Sequence, residues 1–200
     1  MGRPRRFDEQ ALLDCALEVF WSQGYDRTSI EDISVVSGVG NGSLYAAYGS
    51  KLDLFLAVFE RYCDARVEVV RRVIDEHRGD FESAIAHYLD EIVSDCTSHD
   101  DRRGCLMLNS VADLGARFPA VVSVGARAMT AMDGIVAGRV AEAVAAGDIE
   151  LQPEEVAPLG SHIVIISQGL IQLSRIGVPV SRLRTLARAA SRTSTLLSAA

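Results

Sequence analysis

The stretch from Thr28 to Lys51, TSIEDISVVSGVGNGSLYAAYGSK, constrains this chain more than any other. Thr28 followed three residues later by Glu31 has the form of a capping box, which predicts a helix start there. Ile30 and Ile33 fall on one face of that helix, and Gly38 supplies a residue that can end it in the left-handed conformation. Asn41 is the expected N-cap of a second short helix carrying Ser43, Leu44, Tyr45, Ala47 and Tyr48. Leu44 and Ala47 share a face that packs back on Ile33, which leaves Asn41, Ser43, Tyr45 and Tyr48 outward or at the edges. Gly49 closes this helix, and Ser50 with Asp53 forms a second capping box that opens the next one. Two short helices joined by a glycine turn form a helix-turn-helix.

The run G-V-G-N-G-S-L-Y-A-A-Y-G-S-K, with Leu44-Tyr45, Tyr48 and Lys51 at its centre, resembles the signature of the TetR family of bacterial transcription regulators. The resemblance covers residues 7 to 60 and thins beyond them. A second patch, Gly104-Cys105-Leu106-Met107-Leu108-Asn109-Ser110, is similar to a segment in one branch of that family. The resemblance implies an N-terminal DNA-binding domain and a C-terminal ligand-binding and dimerisation domain. Helix-turn-helix geometry by itself also serves as plain packing, so the residue-level match carries the DNA reading. The cluster Gly38, Gly40, Gly42 spells neither dinucleotide nor P-loop spacing and follows a helix pattern, which excludes a phosphate loop.

Charge argues against nucleic acid at first sight. The whole chain carries −7, and its first fifty residues hold four arginines against seven acids. DNA contact must therefore rest on local placement. Arg3, Arg5 and Arg6 form a basic arm ahead of the first helix, and Lys51, the only lysine, follows the second helix of the motif. Thr28, Ser29, Tyr45 and Lys51 are expected to meet phosphates, because hydroxyl and ammonium groups at helix starts reach backbone oxygens. Asn41, Ser43 and Tyr48 are expected to read bases.

Beyond this motif the pattern is helical throughout, an all-α chain of about nine helices. Phe7 and Leu12 staple an N-cap at Asp8, and Leu13, Ala16, Leu17, Phe20 and Trp21 face the core of the first helix. A long helix is expected from 51 to 78, about 40 Å at 1.5 Å per residue. It joins a DNA-binding domain at 1–50 to a ligand-binding and dimerisation domain at 51–200. Further helices follow at Phe81–Val93, from about Cys105 to Gly115, from Ala120 to Ala146, and from Pro153 to Arg175. The ninth carries Leu183, Leu186, Ala187, Ala190 and Leu197. The last two helices are apolar enough to imply a homodimer through a four-helix bundle, as the resemblance also does; completing the monomer core is the competing role.

The resemblance implies a cavity for a small hydrophobic or amphipathic effector, with Tyr62, Tyr88, Cys105, Met107, Asn109, Phe118, Met129, Met132, His162 and Gln168 as candidate lining. Core filling is the plain alternative for each. Cys96, His99 and Cys105 form a C-x2-H-x5-C constellation that could hold a metal or respond to oxidants, although its spacing matches no standard zinc pattern. No cofactor is expected. No Glu-x-x-His pair and no G-x-S-x-G elbow is present, so di-metal and serine-hydrolase chemistry are excluded. A helical small-molecule-binding protein without DNA function is the reading from another class. The N-terminus does not resemble a signal peptide and no run approaches a membrane span, so a cytoplasmic protein with reduced thiols and no membrane partner is expected.

Overall fold

The computed structural model describes residues 7–196, with side chains through 192. Among the described residues there are nine helices: α1 (Glu9–Gln23), α2 (Ile30–Ser37), α3 (Asn41–Tyr48), α4 (Lys51–Glu76), α5 (Phe81–Cys96), α6 (Leu106–Leu114), α7 (Pro119–Ala146), α8 (Pro153–Arg175) and α9 (Val180–Leu196). The arm residues Arg3, Arg5 and Arg6, and Leu197, lie outside the described residues.

Local chemistry sets the helix ends. Asp8 caps α1 by accepting from the Ala11 amide at 3.2 Å. At α2 the capping box is shifted by one residue from the sequence expectation. Ser29 Oγ accepts from the Asp32 amide at 3.1 Å, and Asp32 Oδ2 accepts from the Ser29 amide at 2.7 Å and from its hydroxyl at 2.6 Å. Thr28 is buried instead, its hydroxyl donating to the Gly24 carbonyl at 2.8 Å. Asn41 is likewise not a cap: Gly40 holds that position and Asn41 is the first helical residue. Gly38 takes φ 70°, a left-handed turn that a side chain would strain. The Ser50–Asp53 box forms as expected, whereas α4 ends at Glu76, two residues early.

The Ser29 box gives a direct prediction. Its two hydrogen bonds, the hydroxyl first, hold the Asp32 carboxyl below the usual carboxylate range. Their contribution is therefore complete above the ordinary aspartate pKa and is lost as pH falls through the lowered one. Ser29→Ala is expected to lower the melting temperature by roughly 2–4 °C at pH 7. The gap to the parent should narrow in acid, and a constant gap would assign the loss to something other than the carboxylate.

The helices pack as two compact units. One comprises the segment ending at Asp64 together with Leu106–Gly125; the other comprises Ala65–Cys105 together with the segment from Ala126 onward. The packing boundary thus departs from a division at residue 50, because the first half of α4 buries Leu54, Phe55, Val58 and Phe59 in the core that Leu12, Phe20, Ile33 and Leu44 begin. Rings knit this core: Phe55 meets Phe20 and Tyr25 edge-on at 5.1 Å each, and Tyr25 meets Phe118 at 5.5 Å. Within the same unit α6 is anchored where the Leu106 amide donates to Tyr62 Oη at 3.2 Å.

In the second unit α5 packs on α8 and α9, and α8 on α9. Ile85, Leu89, Val93, Ile163, Val164, Leu170, Leu183 and Ala187 are all buried there. Between α7 and α8 the approach is close: a Cβ on Gly160 would lie 2.8 Å from Ala137 Cα. One expectation is corrected here, since α7 and α8 are both long and apolar enough to cross a membrane by length and composition, with mean hydropathies of 1.3 and 1.4 over their most apolar windows. Glycines, alanines and serines thin the apolar runs of both helices and mask this length in the sequence. In the structure both helices use apolar residues in protein packing, α8 through Leu159, Ile163, Val164, Leu170 and Ile171.

Candidate DNA interface and interior polar site

The short helix α3 is held from behind and open in front. Leu44 is its one buried side chain, and Ile33 of α2 is also fully buried. Asn41, Gly42, Ser43, Tyr45 and Ala46 are exposed, Tyr45 at 54%. A 54% exposed tyrosine on a short helix has no packing reason to be there, and its hydroxyl is available to a partner. Tyr48 is half-buried and donates its hydroxyl to Glu9 Oε1 at 3.1 Å, so it also ties α3 to α1.

Lys51 has a role that its position in the sequence does not display. Its Nζ donates to the carbonyls of Tyr25 and Thr28 at 2.9 Å each and sits 4.1 Å from the centre of the Tyr25 ring. The ammonium thereby closes the end of the α1–α2 connection against the start of α4, with two of its three N–H groups engaged. Thr28, expected as a phosphate contact, is only 2% exposed and positions the connection from inside. Ser29 is exposed, with its oxygen committed to the cap. The outward face of this motif therefore consists of Asn41, Ser43, Tyr45 and the rim at Ser29.

The ten candidate effector residues divide between the units. Tyr62, Met107, Asn109 and Phe118 belong to the unit that contains α1 to α3, with Tyr62 edge-on to Trp21 at 5.2 Å and Phe118 against Tyr25. Tyr88, Cys105, Met129, Met132, His162 and Gln168 belong to the other. His162 is exposed on the outer side of α8, Met129 is half-buried, and Met132 and Cys105 are buried.

Tyr88 and Gln168 are brought together. Tyr88 donates to Ser167 Oγ at 3.1 Å, Gln168 Nε2 donates to the same oxygen at 3.3 Å, and the Ser167 hydroxyl donates to the Val164 carbonyl at 2.7 Å. Because Ser167 gives its only proton to Val164, it accepts from both neighbours, and Gln168 must turn its Nε2 toward it. This leaves Gln168 Oε1 buried without a hydrogen-bond partner. A buried acceptor in that state calls for a donor from a ligand or a water. Burial raises the Tyr88 pKa, against a smaller lowering by the Ser167 bond, so the phenol stays protonated and remains a donor.

The cysteine constellation does not assemble. Among the described residues no three His, Cys, Asp or Glu side chains are placed to hold a metal, so Cys96, His99 and Cys105 form no metal centre. Burial pushes the Cys96 thiol up, which disfavours the reactive thiolate.

Two features escaped the sequence reading. Val35 and Val36 stand 77% and 58% exposed on α2. Arg66 of α4 and Asp95 of α5 pair at 3.0 Å, and no local pattern could have linked residues on different helices 29 positions apart.

Comparison with known proteins places this geometry. A family model of bacterial regulatory proteins of the tetR family matches residues 12–58, and a model of the tetracyclin repressor-like C-terminal domain matches residues 82–190. Escherichia coli (strain K12) has an HTH-type transcriptional repressor, ComR, that is 37% identical over 113 residues, 56% of this chain and 54% of the relative. The HTH-type transcriptional activator FasR of Mycolicibacterium smegmatis is 35% identical over 95 residues, 46% of this chain and 43% of the relative. The chain thus spans about half the length of the curated relatives it matches. Among solved structures, a cysteine mutant of the TetR family regulator CifR, complexed with 26-bp double-strand operator DNA, superposes with a TM-score of 0.82 at 27% identity. It covers 95% of this chain and 98% of its own.

Proposed function

Starting from the TetR family of bacterial regulatory proteins, to which this chain belongs, we propose that it is a dimeric, ligand-responsive transcriptional regulator that reads an inverted repeat in double-stranded DNA. The observation that carries this is α3: Leu44 fixes it from behind while Asn41, Ser43, Tyr45 and Ala46 stand in solvent. The two α3 helices of a dimer would enter major grooves about 34 Å apart or a multiple of that. Tyr45 serves the phosphates, while Ser29 is spent on its cap; Asn41 and Ser43 serve the base edges, and Ala46 or Ala47 can touch a thymine methyl. Lys51, Thr28 and Tyr48 hold the reader in register, and Arg3, Arg5 and Arg6 supply the arm.

The test is selection of duplexes from a random DNA pool at moderate salt, followed by two variants. Tyr45→Phe is expected to weaken binding about fivefold on all selected sequences alike, the effect of one lost hydrogen bond. Asn41→Ala is expected to change the preferred sequence at one position per half-site, where a good base contact discriminates by about 1–3 kcal/mol. An enriched inverted repeat with this split supports the reading. Absence of enrichment even at low salt, where non-specific contacts are strongest, overturns it.

The effector reading is supported by the orphaned Gln168 Oε1 beside Ser167 and Tyr88, which suits a small apolar molecule carrying a hydroxyl or N–H donor. Its binding would favour a conformer with altered spacing of the two α3 helices and so lower DNA affinity through α4, with a coupling of about 1–3 kcal/mol. Repression follows the habit of ComR by name, whereas FasR by name is an activator. The homodimer is assigned to α8 and α9, where Ile165, the cap residue Ile176 and Leu186 stand in solvent. These roles place the protein in the cytoplasm.

A further inference from the structure

Between α4 and α5 lies a cleft of about 210 Å³. Val69, Val70, Val73, Ile92 and the Tyr88 ring form its apolar wall, and its charged groups are Arg66, Arg72, Glu91 and Asp95. These charges are not equally placed. The Arg66 side chain is only 15% exposed, while its partner Asp95 is 49% exposed. Arg66 holds Asp95 with both terminal nitrogens, Nη1 to Oδ1 at 3.1 Å and Nη2 to Oδ2 at 3.0 Å. The charge set deepest in this apolar wall is therefore positive, and the anion on it is the one that can swing out to water at little cost.

We propose that this cleft binds a small apolar carboxylate, whose carboxyl group takes the place of Asp95 on Arg66 while its hydrocarbon lies along Val69, Val70, Val73 and Ile92. Three physical points lead there. Arg66 is mostly shielded from water, so a molecule that takes the place of Asp95 is favoured when it brings an anion of its own. The geometry already displayed by Asp95 is the two-pronged pairing in which arginine surpasses lysine. The space equals that of about seven waters, which fits a tail of roughly six carbons and not a long acyl chain. The site rests on the effector reading only for its consequence on DNA; binding itself does not depend on it.

The experiment is calorimetric titration of the full-length protein with straight-chain carboxylates from butanoate to decanoate, with hexylamine and hexanol as controls. Hexanoate is expected to bind through Arg66, and any binding of the two controls at the Gln168 acceptor is expected to be unchanged in Arg66→Gln. Affinity is expected to rise about fourfold per added methylene while the wall is being covered, then to level off once the tail outgrows the cleft. Arg66→Gln is expected to abolish hexanoate binding. Asp95→Asn, which removes the internal competitor and leaves the helix intact, is expected to tighten it about two- to fivefold, the usual worth of a partly exposed ion pair. Hexanoate binding that survives Arg66→Gln, or that weakens in Asp95→Asn, overturns the proposal, as does no heat from any carboxylate. A separate arm follows fluorescence anisotropy of the selected duplex as hexanoate is added. Binding with release makes this the effector site; binding without release leaves the carboxylate site standing and removes its regulatory role.

Discussion

Placing aspartate at both Ile165 and Ile176 is expected to convert the protein from dimer to folded monomer and to lower its affinity for an inverted-repeat duplex at least a hundredfold. The two isoleucines are 65% and 75% exposed; Ile165 lies with Gly169 and Gln172 along one side of α8, and Ile176 is the C-cap at its end. The opposite side of that helix buries Ile163, Val164, Leu170 and Ile171, so the outer isoleucines contribute nothing to the core of a single chain. Desolvating two large aliphatic side chains per subunit stabilises an interface, and two carboxylates brought onto the same surface oppose it. The DNA effect follows from linkage of two readers: a dimer gains on the order of 10²–10⁴ in overall affinity because its second half-site contact is intramolecular. Sedimentation and a folded circular-dichroism spectrum read the first part, and anisotropy on the selected duplex reads the second. A variant that remains dimeric would move the interface off this face of α8.

A second large effect is expected at Gly160. Its missing side chain is what lets α7 and α8 meet, because a Cβ there would lie 2.8 Å from both Cα and N of Ala137 and 2.9 Å from its Cβ. Those are backbone or backbone-bound atoms that cannot rotate aside. Gly160→Val must therefore drive the helices apart, with a destabilisation of about 3 kcal/mol and a melting temperature lower by roughly 6–12 °C. Gly169 on the same helix is the control, since nothing lies within 4 Å of its Cβ position. In the Ile165, Ile176 monomer background Gly169→Ala is expected to raise the melting temperature slightly, as alanine does for glycine within a helix. If the two glycines respond alike, the close crossing is not what holds α7 to α8.

What the sequence discloses, and what it hides, follows from range. Periodicity placed the longer helices, because each buries a stripe of its own residues and a stripe is a local pattern, while caps and glycine breaks placed the short α2 and α3. Caps were read one residue off at two points, Thr28 for Ser29 and Asn41 for Gly40. Thr28 with Glu31 and Ser29 with Asp32 both satisfy the capping pattern, and the burial of Thr28 by the α1–α2 connection decides between them. The exposed face of α3 was legible as well, since Leu44 is the one large aliphatic residue in it. Lys51 was read as a phosphate contact because its partners, carbonyls 23 and 26 residues upstream, have no side-chain signature. The same limit hid Arg66 and Asp95. His162 had mixed character that fitted a cavity, but helical phase turned it outward.

The unit that carries the reader is written in two pieces of sequence, one ending at Asp64 and the other running from Leu106 to Gly125. Tyr62, Tyr25 and Asp26 from the first piece meet Leu106, Phe118 and Arg117 from the second, the last pair as an ion pair at 2.8 Å. Inheritance of the DNA specificity therefore cannot follow a single cut in the gene. An exchange of heads between two such regulators at the middle of α4 would transplant the reading helix while leaving behind the helix that helps complete its core.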